Sequence, residues 1–175
     1  AEVPVWRRLK VAILSTGDEL RPVGAPLPPG CVHDSNRYTM WAMLTRLGVE
    51  VIDLGLVRDD PLALREALGR AAREADAVLS SGGVGVGEAD HTKQVMAELG
   101  EVMFWKLAMR PGRPLAVGRI ASDGHQAMLF GLPGNPVAVM VSFYAFVREA
   151  LLLMSGATPT PLPLLRAATT TALRK

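Results

Sequence analysis

The stretch DAVLSSGGVGVGEADHTK, residues 76–93, reads as a strand, a loop and the start of a helix. Residues 76–81 form a short apolar run of the kind that fills a buried strand, six glycine- and valine-rich residues then break it, and helical character resumes from about Thr92 to Leu99. The same alternation extends upstream. KVAILS at 10–15 is a second apolar run, ended by Thr16-Gly17-Asp18. Met40, Met43, Leu44 and Leu47 then recur at helical spacing, with Asp34 or Ser35 as N-cap and Gly48 as the stop. A strand over Val49–Gly55 follows. Pro61 next opens a helix at the position where its missing N–H costs nothing, and Leu62, Leu64, Leu68 and Ala72 give that helix an apolar stripe. Downstream come VMFWKLAM, a turn over Pro111–Pro114, LAVGRI, QAMLFGLPGNP and a long helix from about Asn135 to Met154, closed by Ser155-Gly156. Strands alternating with helices predict an α/β fold: a three-layer sandwich with a mostly parallel sheet and helices on both faces.

Composition narrows the class. The chain has 175 residues, 49% hydrophobic and 21% charged, which suits one globular domain and disfavours disorder. No apolar run approaches the roughly 18 residues of a membrane span, so a soluble chain with no membrane partner is expected. A lone cysteine, Cys31, excludes an internal disulfide and makes a reducing, cytoplasmic location the default. Arg7, Arg8 and Lys10 against Glu2, with Arg166, Arg174 and Lys175 near the other end, give the flanks +5. The net +2 therefore leaves the middle of the chain at −3, and with aromatics at only 5% nucleic acid is not an expected partner. Prolines at 159, 161 and 163 read as a linker. The expected organisation is a linker over 1–9 from a preceding domain, a folded domain over 10–156, and over 157–175 a linker leading into a further domain.

In open parallel sheets, ligands bind beyond the carboxyl ends of the strands, where loops converge and helix N-termini present free amides. Here those loops hold Thr16-Gly17-Asp18-Glu19, Arg58-Asp59-Asp60, the glycine loop with Glu88 and Asp90, and Gly131-Leu132-Pro133-Gly134-Asn135-Pro136. The glycine loop fits neither the dinucleotide nor the Walker pattern. It is either a tight turn or a backbone nest for an anion. Taken singly, Asp59 and Asp90 read as helix caps or solvated residues. Glu19, Asp59, Glu88 and Asp90 brought together would repel unless a cation joined them, and hard oxygen ligands suit Mg²⁺. Lys106, Arg110 and Arg113 flank the 111–114 turn as either a solvated run or an oxyanion site. Trp6, Trp41 and Trp105 read as core or interface residues, Cys31 as a small apolar filler, and the eight methionines as core packing.

STGDEL at 15–20, DSN at 34–36, RDDP at 58–61, SSGGVGVGEADHTK at 80–93, FWKLAMRPGRP at 104–114 and GLPGNPV at 131–137 together resemble the MoeA family, the molybdopterin molybdenumtransferases. The resemblance runs in register from about Lys10 to Gly156 and implies the fold shared with the MogA and MoaB proteins and the gephyrin E domain. Gly85 and Ala138 stand where that family often has serine, and Arg110 and Arg113 where lysine is frequent. The implied activity is insertion of molybdate into adenylylated molybdopterin with release of AMP, dependent on Mg²⁺. Adenylylation of molybdopterin and a non-catalytic scaffold role are the alternatives. The resemblance implies catalytic and metal-binding roles for Glu19, Asp59 and Asp90. It implies substrate contacts from Thr16, Gly17, Asp18, Asn36, Ser81, Gly82, Gly83, Lys106, Arg110, Arg113, Pro133, Gly134, Asn135 and Pro136. A homodimer is implied as well, with a molybdopterin adenylyltransferase as partner.

Overall fold

The computed structural model describes residues 2–84, 90–160 and 162–172, the side chain of Asp90 excepted. In chain order the elements are β1 (Lys10–Thr16), β2 (Leu20–Arg21), β3 (Val32–His33), α1 (Asn36–Arg46), β4 (Glu50–Val57), α2 (Pro61–Glu74), β5 (Ala77–Ser81), α3 (Asp90–Leu99), β6 (Gly100–Lys106), β7 (Pro114–Ser122), β8 (His125–Leu132), α4 (Pro136–Ser142) and α5 (Arg148–Met154). A π-helical stretch, Phe143–Val147, joins α4 to α5. Six strands form one sheet in the order β4-β1-β5-β8-β7-β6, and β2 pairs with β3 in a small separate ribbon. β4, β1, β5 and β8 run parallel, while β7 and β6 turn back antiparallel at one edge.

Alternation along the strands sorts side chains to two cores. Ala12, Leu14, Val78 and Leu129 face α2 and α3, meeting Leu64, Leu68, Ala72, Val95 and Met96. Val11, Ile13, Leu79, Phe130 and Leu132 face the opposite layer, where Met40, Met43 and Leu44 of α1 pack beside Val139, Phe143, Val147 and Leu151. Each fully buried aliphatic or Phe side chain contributes about 1.5–3 kcal/mol relative to exposure, so two filled cores on one sheet account for the fold. This is the three-layer α/β sandwich that the strand-helix alternation predicts.

Several readings need correction. Leu62 is 77% exposed, because it sits in the first turn of α2 on the solvent side, so the stripe begins at Leu64. Of the two readings for Trp6, Trp41 and Trp105, core or interface, the core one is excluded, because all three are half-exposed or more. Met40, Met43 and Met96 are core residues, but Met103 and Met140 face outward. Pro136–Met154 is, at 19 residues and mean hydropathy 1.8, long and apolar enough to cross a membrane by length and composition, which the sequence scan misses because Arg148 and Glu149 interrupt the run. Every fourth residue of that helix from Val139 to Leu151 is buried against the sheet.

At the edge where the parallel strands begin, Asp76 accepts from Arg7 Nη1 at 2.8 Å and from the Lys10 N–H at 2.8 Å, and Arg7 Nη2 adds an ion pair to its other oxygen. The Trp6 ring lies against Gly156 at the end of α5, where a Cβ would overlap it. Hydrogen bonding by Arg7 holds the Asp76 carboxyl below its ordinary range against the opposing effect of burial, with the Lys10 N–H and the nearby positive charges assisting. A depressed carboxylate pKa stabilises the fold above the unfolded value of about 4 and loses that contribution as pH falls through the folded value. Asp76→Asn is therefore expected to lower Tm at pH 7, and the difference from wild type is expected to shrink toward pH 2 in thermal melts. A gap of the same size at both pH values contradicts the assignment.

Candidate functional site

The register places the candidate loops on one edge. Thr16 is level with Val57, Ser15 with Ser81, and Ser81 with Leu132, so the four parallel strands end side by side. Because Gly131 pairs with Ala116 and Lys106 with Pro114, the β6–β7 turn holding Arg110 and Arg113 returns to that same edge. Along it the order is the Asp59 loop after β4, the Gly17–Glu19 loop after β1, Gly82-Gly83 after β5, the Pro133–Pro136 loop after β8, and the basic turn. Four to five strand spacings of about 4.8 Å, roughly 19–24 Å, separate the β4 anchor of the Asp59 loop from the β7 and β6 anchors of the basic turn.

At the acidic end Asp60, not Asp59, caps α2, accepting from the Leu62 and Ala63 N–H groups at 3.1 and 2.9 Å. Asp59 instead accepts from Thr92 Oγ1 at 3.1 Å. Thr92 is buried in the first turn of α3, and its side chain also covers Gly83, where a Cβ would lie 2.6 Å away. This one threonine thus joins the β4 loop, the glycine loop and the helix that Asp90 begins. The Glu19 carboxylate folds back over Gly17, so that a Cβ on Gly17 would lie 2.6 Å from its Oε2. Neither Glu19 nor Asp59 has a cationic partner among the described residues. Among the described residues no three His, Cys, Asp or Glu gather as a ligand set. The remaining members of the expected acidic group are Glu88, which like Gly85 lies outside the described residues, and Asp90, placed by its backbone at the start of α3.

The middle of the edge is tightly built. Gly82 has φ +90°, its N–H donates to the Leu132 carbonyl at 3.1 Å, and a Cβ there would overlap the Thr16 carbonyl. Asn36 Nδ2 donates to Ser81 Oγ and to the Gly134 carbonyl, both at 2.7 Å. Asn135 caps α4, accepting from the Val137 and Ala138 N–H groups at 3.0 and 3.2 Å. Pro133 is buried, while Gly134, Asn135 and Pro136 are exposed, as is Asp18. Thr16 Oγ1, Asn36 Oδ1 and Ser80 Oγ are buried without a hydrogen-bond partner, a pattern that calls for a water or a ligand.

At the basic end Lys106, Arg110 and Arg113 are exposed and have no carboxylate partner among the described residues. The Leu107 N–H donates to the Arg113 carbonyl at 2.7 Å and closes the turn. Gly112, at φ +99°, is buried against α4, where a Cβ would stand 3.0 Å from Ser142 Oγ. Arginines raised on a packed turn, with no acid to neutralise them, suit an oxyanion.

Sequence reasoning names Asp34 only as a cap and passes over Arg37. Asp34 is buried: its Oδ1 accepts from Ser15 Oγ at 2.9 Å and from the Arg37 N–H at 3.3 Å, and its Oδ2 pairs with Arg37 Nε. Burial opposes the charge on Arg37, yet the hydrogen bond and charge of Asp53, with Asp34 and Tyr38 beside them, raise its pKa above the ordinary arginine value. One signal was legible. Strand alternation puts Ser15 on the inward face with Val11 and Ile13, and an inward hydroxyl needs a partner.

A parallel α/β sheet whose glycine, proline and carboxylate loops converge at its carboxyl edge defines a ligand-binding α/β domain. The family described as "Probable molybdopterin binding domain" matches residues 12–153, and the chain belongs to it. It is 47% identical over 156 residues to the molybdopterin molybdenumtransferase of Haemophilus influenzae, a match covering 89% of this chain and 38% of that protein. Identity to the enzyme of the same name from Nostoc sp. is 44% over 156 residues, covering 89% and 36%. The crystal structure of the molybdopterin biosynthesis moea protein from Pyrococcus horikosii superposes with a TM-score of 0.72 at 38% identity, over 86% of this chain and 36% of that one. The MoaB protein of Thermus thermophilus, at 23% identity and a TM-score of 0.62, shares the fold. The chain spans less than two fifths of the length of the curated relatives it matches.

Proposed function

We propose that this domain forms the substrate edge of an enzyme that inserts molybdate into adenylylated molybdopterin and releases AMP. The observation that supports it is the order of groups along the carboxyl edge: carboxylates without a cationic partner among the described residues at one end, glycine and proline loops in the middle, and arginines without a carboxylate partner among the described residues at the other. A long substrate with a phosphoanhydride at one end and an incoming oxyanion at the other would lie along that edge. The donors at the acidic end fit a hard divalent cation, because Asp59 is held at one oxygen by Thr92 and has its other oxygen free among the described residues. Asp59 and Asp90 would hold Mg²⁺, with Glu19 on the neighbouring loop orienting a water. Bound there, the ion would neutralise charge on the phosphoanhydride. Arg110 and Arg113, with Lys106, would present molybdate. Thr16, Gly17, Asp18, Ser81, Gly82, Gly83 and Pro133–Pro136 would line the substrate between the two ends, and a second subunit of a homodimer would complete the cleft.

Calorimetric titration of the chain with AMP or adenylylated molybdopterin, with and without Mg²⁺, tests this reading. Mg²⁺-dependent binding is expected, and its absence from both this chain and the full-length dimer would refute it. Replacing both Arg110 and Arg113 with alanine is expected to weaken molybdate binding by about tenfold or more, the scale of losing charge-assisted hydrogen bonds. The residual binding should depend less on salt. Unchanged molybdate affinity in the double variant would remove the turn from the site.

A further inference from the structure

We propose that Asp34, Asn36 and Arg37, at the head of α1, are positioning residues that tie the four parallel strands together, β1, β5 and β8 at their carboxyl ends and β4 at its middle, and thereby fix the Gly17–Glu19, glycine and prolyl loops relative to one another. The proposal rests on reading the carboxyl edge as the ligand edge. Arg37 Nη1 pairs with Asp53 of β4 at 2.9 Å, and Asp53 Oδ1 also accepts the Gly55 N–H, beside the irregularity in the β1–β4 register. Asp34 takes Ser15, the residue before the Thr16-Gly17-Asp18-Glu19 loop of β1. Asn36 divides its amide nitrogen between Ser81 at the end of β5 and Gly134 in the loop after β8. Each contact is a side chain of one short segment reaching a different strand, at the carboxyl end for β1, β5 and β8 and at mid-strand for β4, and Asp34 and Asn36 are both buried.

The geometry sets what Asn36 does. Its two donors are spent within the protein, which leaves only Oδ1 for anything else. Gly134 and Asn135 are exposed, and a Cβ on Gly134 would meet nothing within 4 Å, so the loop is packed only up to the buried Pro133 and Asn36 grips it where it emerges. Among the described residues the loop is also restrained by the burial of Pro133, by the Gly82 N–H on the Leu132 carbonyl and by the cap made by Asn135. The basic turn between β6 and β7 has no such bond to α1 and rests on α4 through Gly112. The brace therefore acts on the acid and proline end of the edge and leaves the arginine end alone.

The test is hydrogen–deuterium exchange on the ligand-free chain, paired with titrations of AMP plus Mg²⁺ and of molybdate. Asn36→Ala is expected to speed exchange of the hydrogen-bonded Gly82, Val137 and Ala138 amides around that loop at least tenfold while core amides such as Val95 and Leu129 stay within twofold. The same variant should weaken AMP binding at least fivefold and leave molybdate affinity within twofold, a split that general destabilisation would not give. Ser81→Ala, which spares the bond to Gly134, should leave loop exchange within twofold. Unchanged loop exchange in Asn36→Ala, or a tenfold rise in Ser81→Ala, overturns the brace. Faster loop exchange in Asn36→Ala when even wild type binds no AMP would sustain the brace and remove the ligand-edge reading.

Discussion

Gly82→Ala is expected to destabilise the chain by about 3 kcal/mol or more, among the largest effects a single methyl group produces. Two costs coincide at this position. The residue has φ +90°, which an L side chain rarely adopts, and the added Cβ would run into the Thr16 carbonyl, a backbone atom of the adjacent strand that cannot swing aside. Relief requires β5 to part from β1 where the loops converge, against the bond that fixes Gly82 to Leu132 of β8 on its other side. Urea titration followed by far-UV circular dichroism measures the loss. A midpoint within experimental error of wild type would show that the strand ends yield more easily than their hydrogen bonding implies. Gly134, whose Cβ would meet open space, is the matched control and should accept alanine with little change.

In the full-length protein, Asp59→Asn is expected to cut cofactor formation by about a hundredfold or more, the scale of removing a charged group that stabilises developing charge. Fold and stability should be retained. Asparagine is nearly isosteric with aspartate, and its side-chain oxygen still accepts the Thr92 hydroxyl, so the link between β4 and α3 survives while one negative charge disappears. Measured together, turnover, Mg²⁺ dependence and Tm separate the outcomes. Lost turnover with a Tm within about 2 °C of wild type supports a role in the chemistry, since a shift of that size corresponds to about 1 kcal/mol or less in a domain this large. Wild-type turnover would remove Asp59 from the machinery.

The architecture was legible because it rests on local pattern. KVAILS, DAVLSS and the Pro61 and Pro136 helix starts each announce their element through residues close in sequence, whereas the strand order is set by long-range pairing and was not read from the sequence. The gathering of loops on one edge was also legible, since it is a property of parallel strands. What escaped depends on long-range pairing. Thr92 reads as an ordinary helix-start residue, yet it reaches Asp59, 33 positions earlier in the chain. Asn36 meets Gly134 across 98 positions, and Arg37 meets Asp53 only because β4 lies at the sheet edge beside α1. For the tryptophans the sequence left core and interface as alternatives, because hydrophobicity alone favours burial and nothing local tells a core ring from a surface one.

Trp6 against Gly156 and Arg7 on Asp76 have a consequence for how such a unit is combined with others. The chain enters the sandwich and leaves it at neighbouring points, on the side remote from the working loops. A module whose doorway is this narrow can be spliced into a host protein by opening a single surface loop there, since the gap to be bridged is small. Neighbouring modules attached through that doorway would stand behind the sheet, and the functional rim would stay open for whatever must approach it from the front.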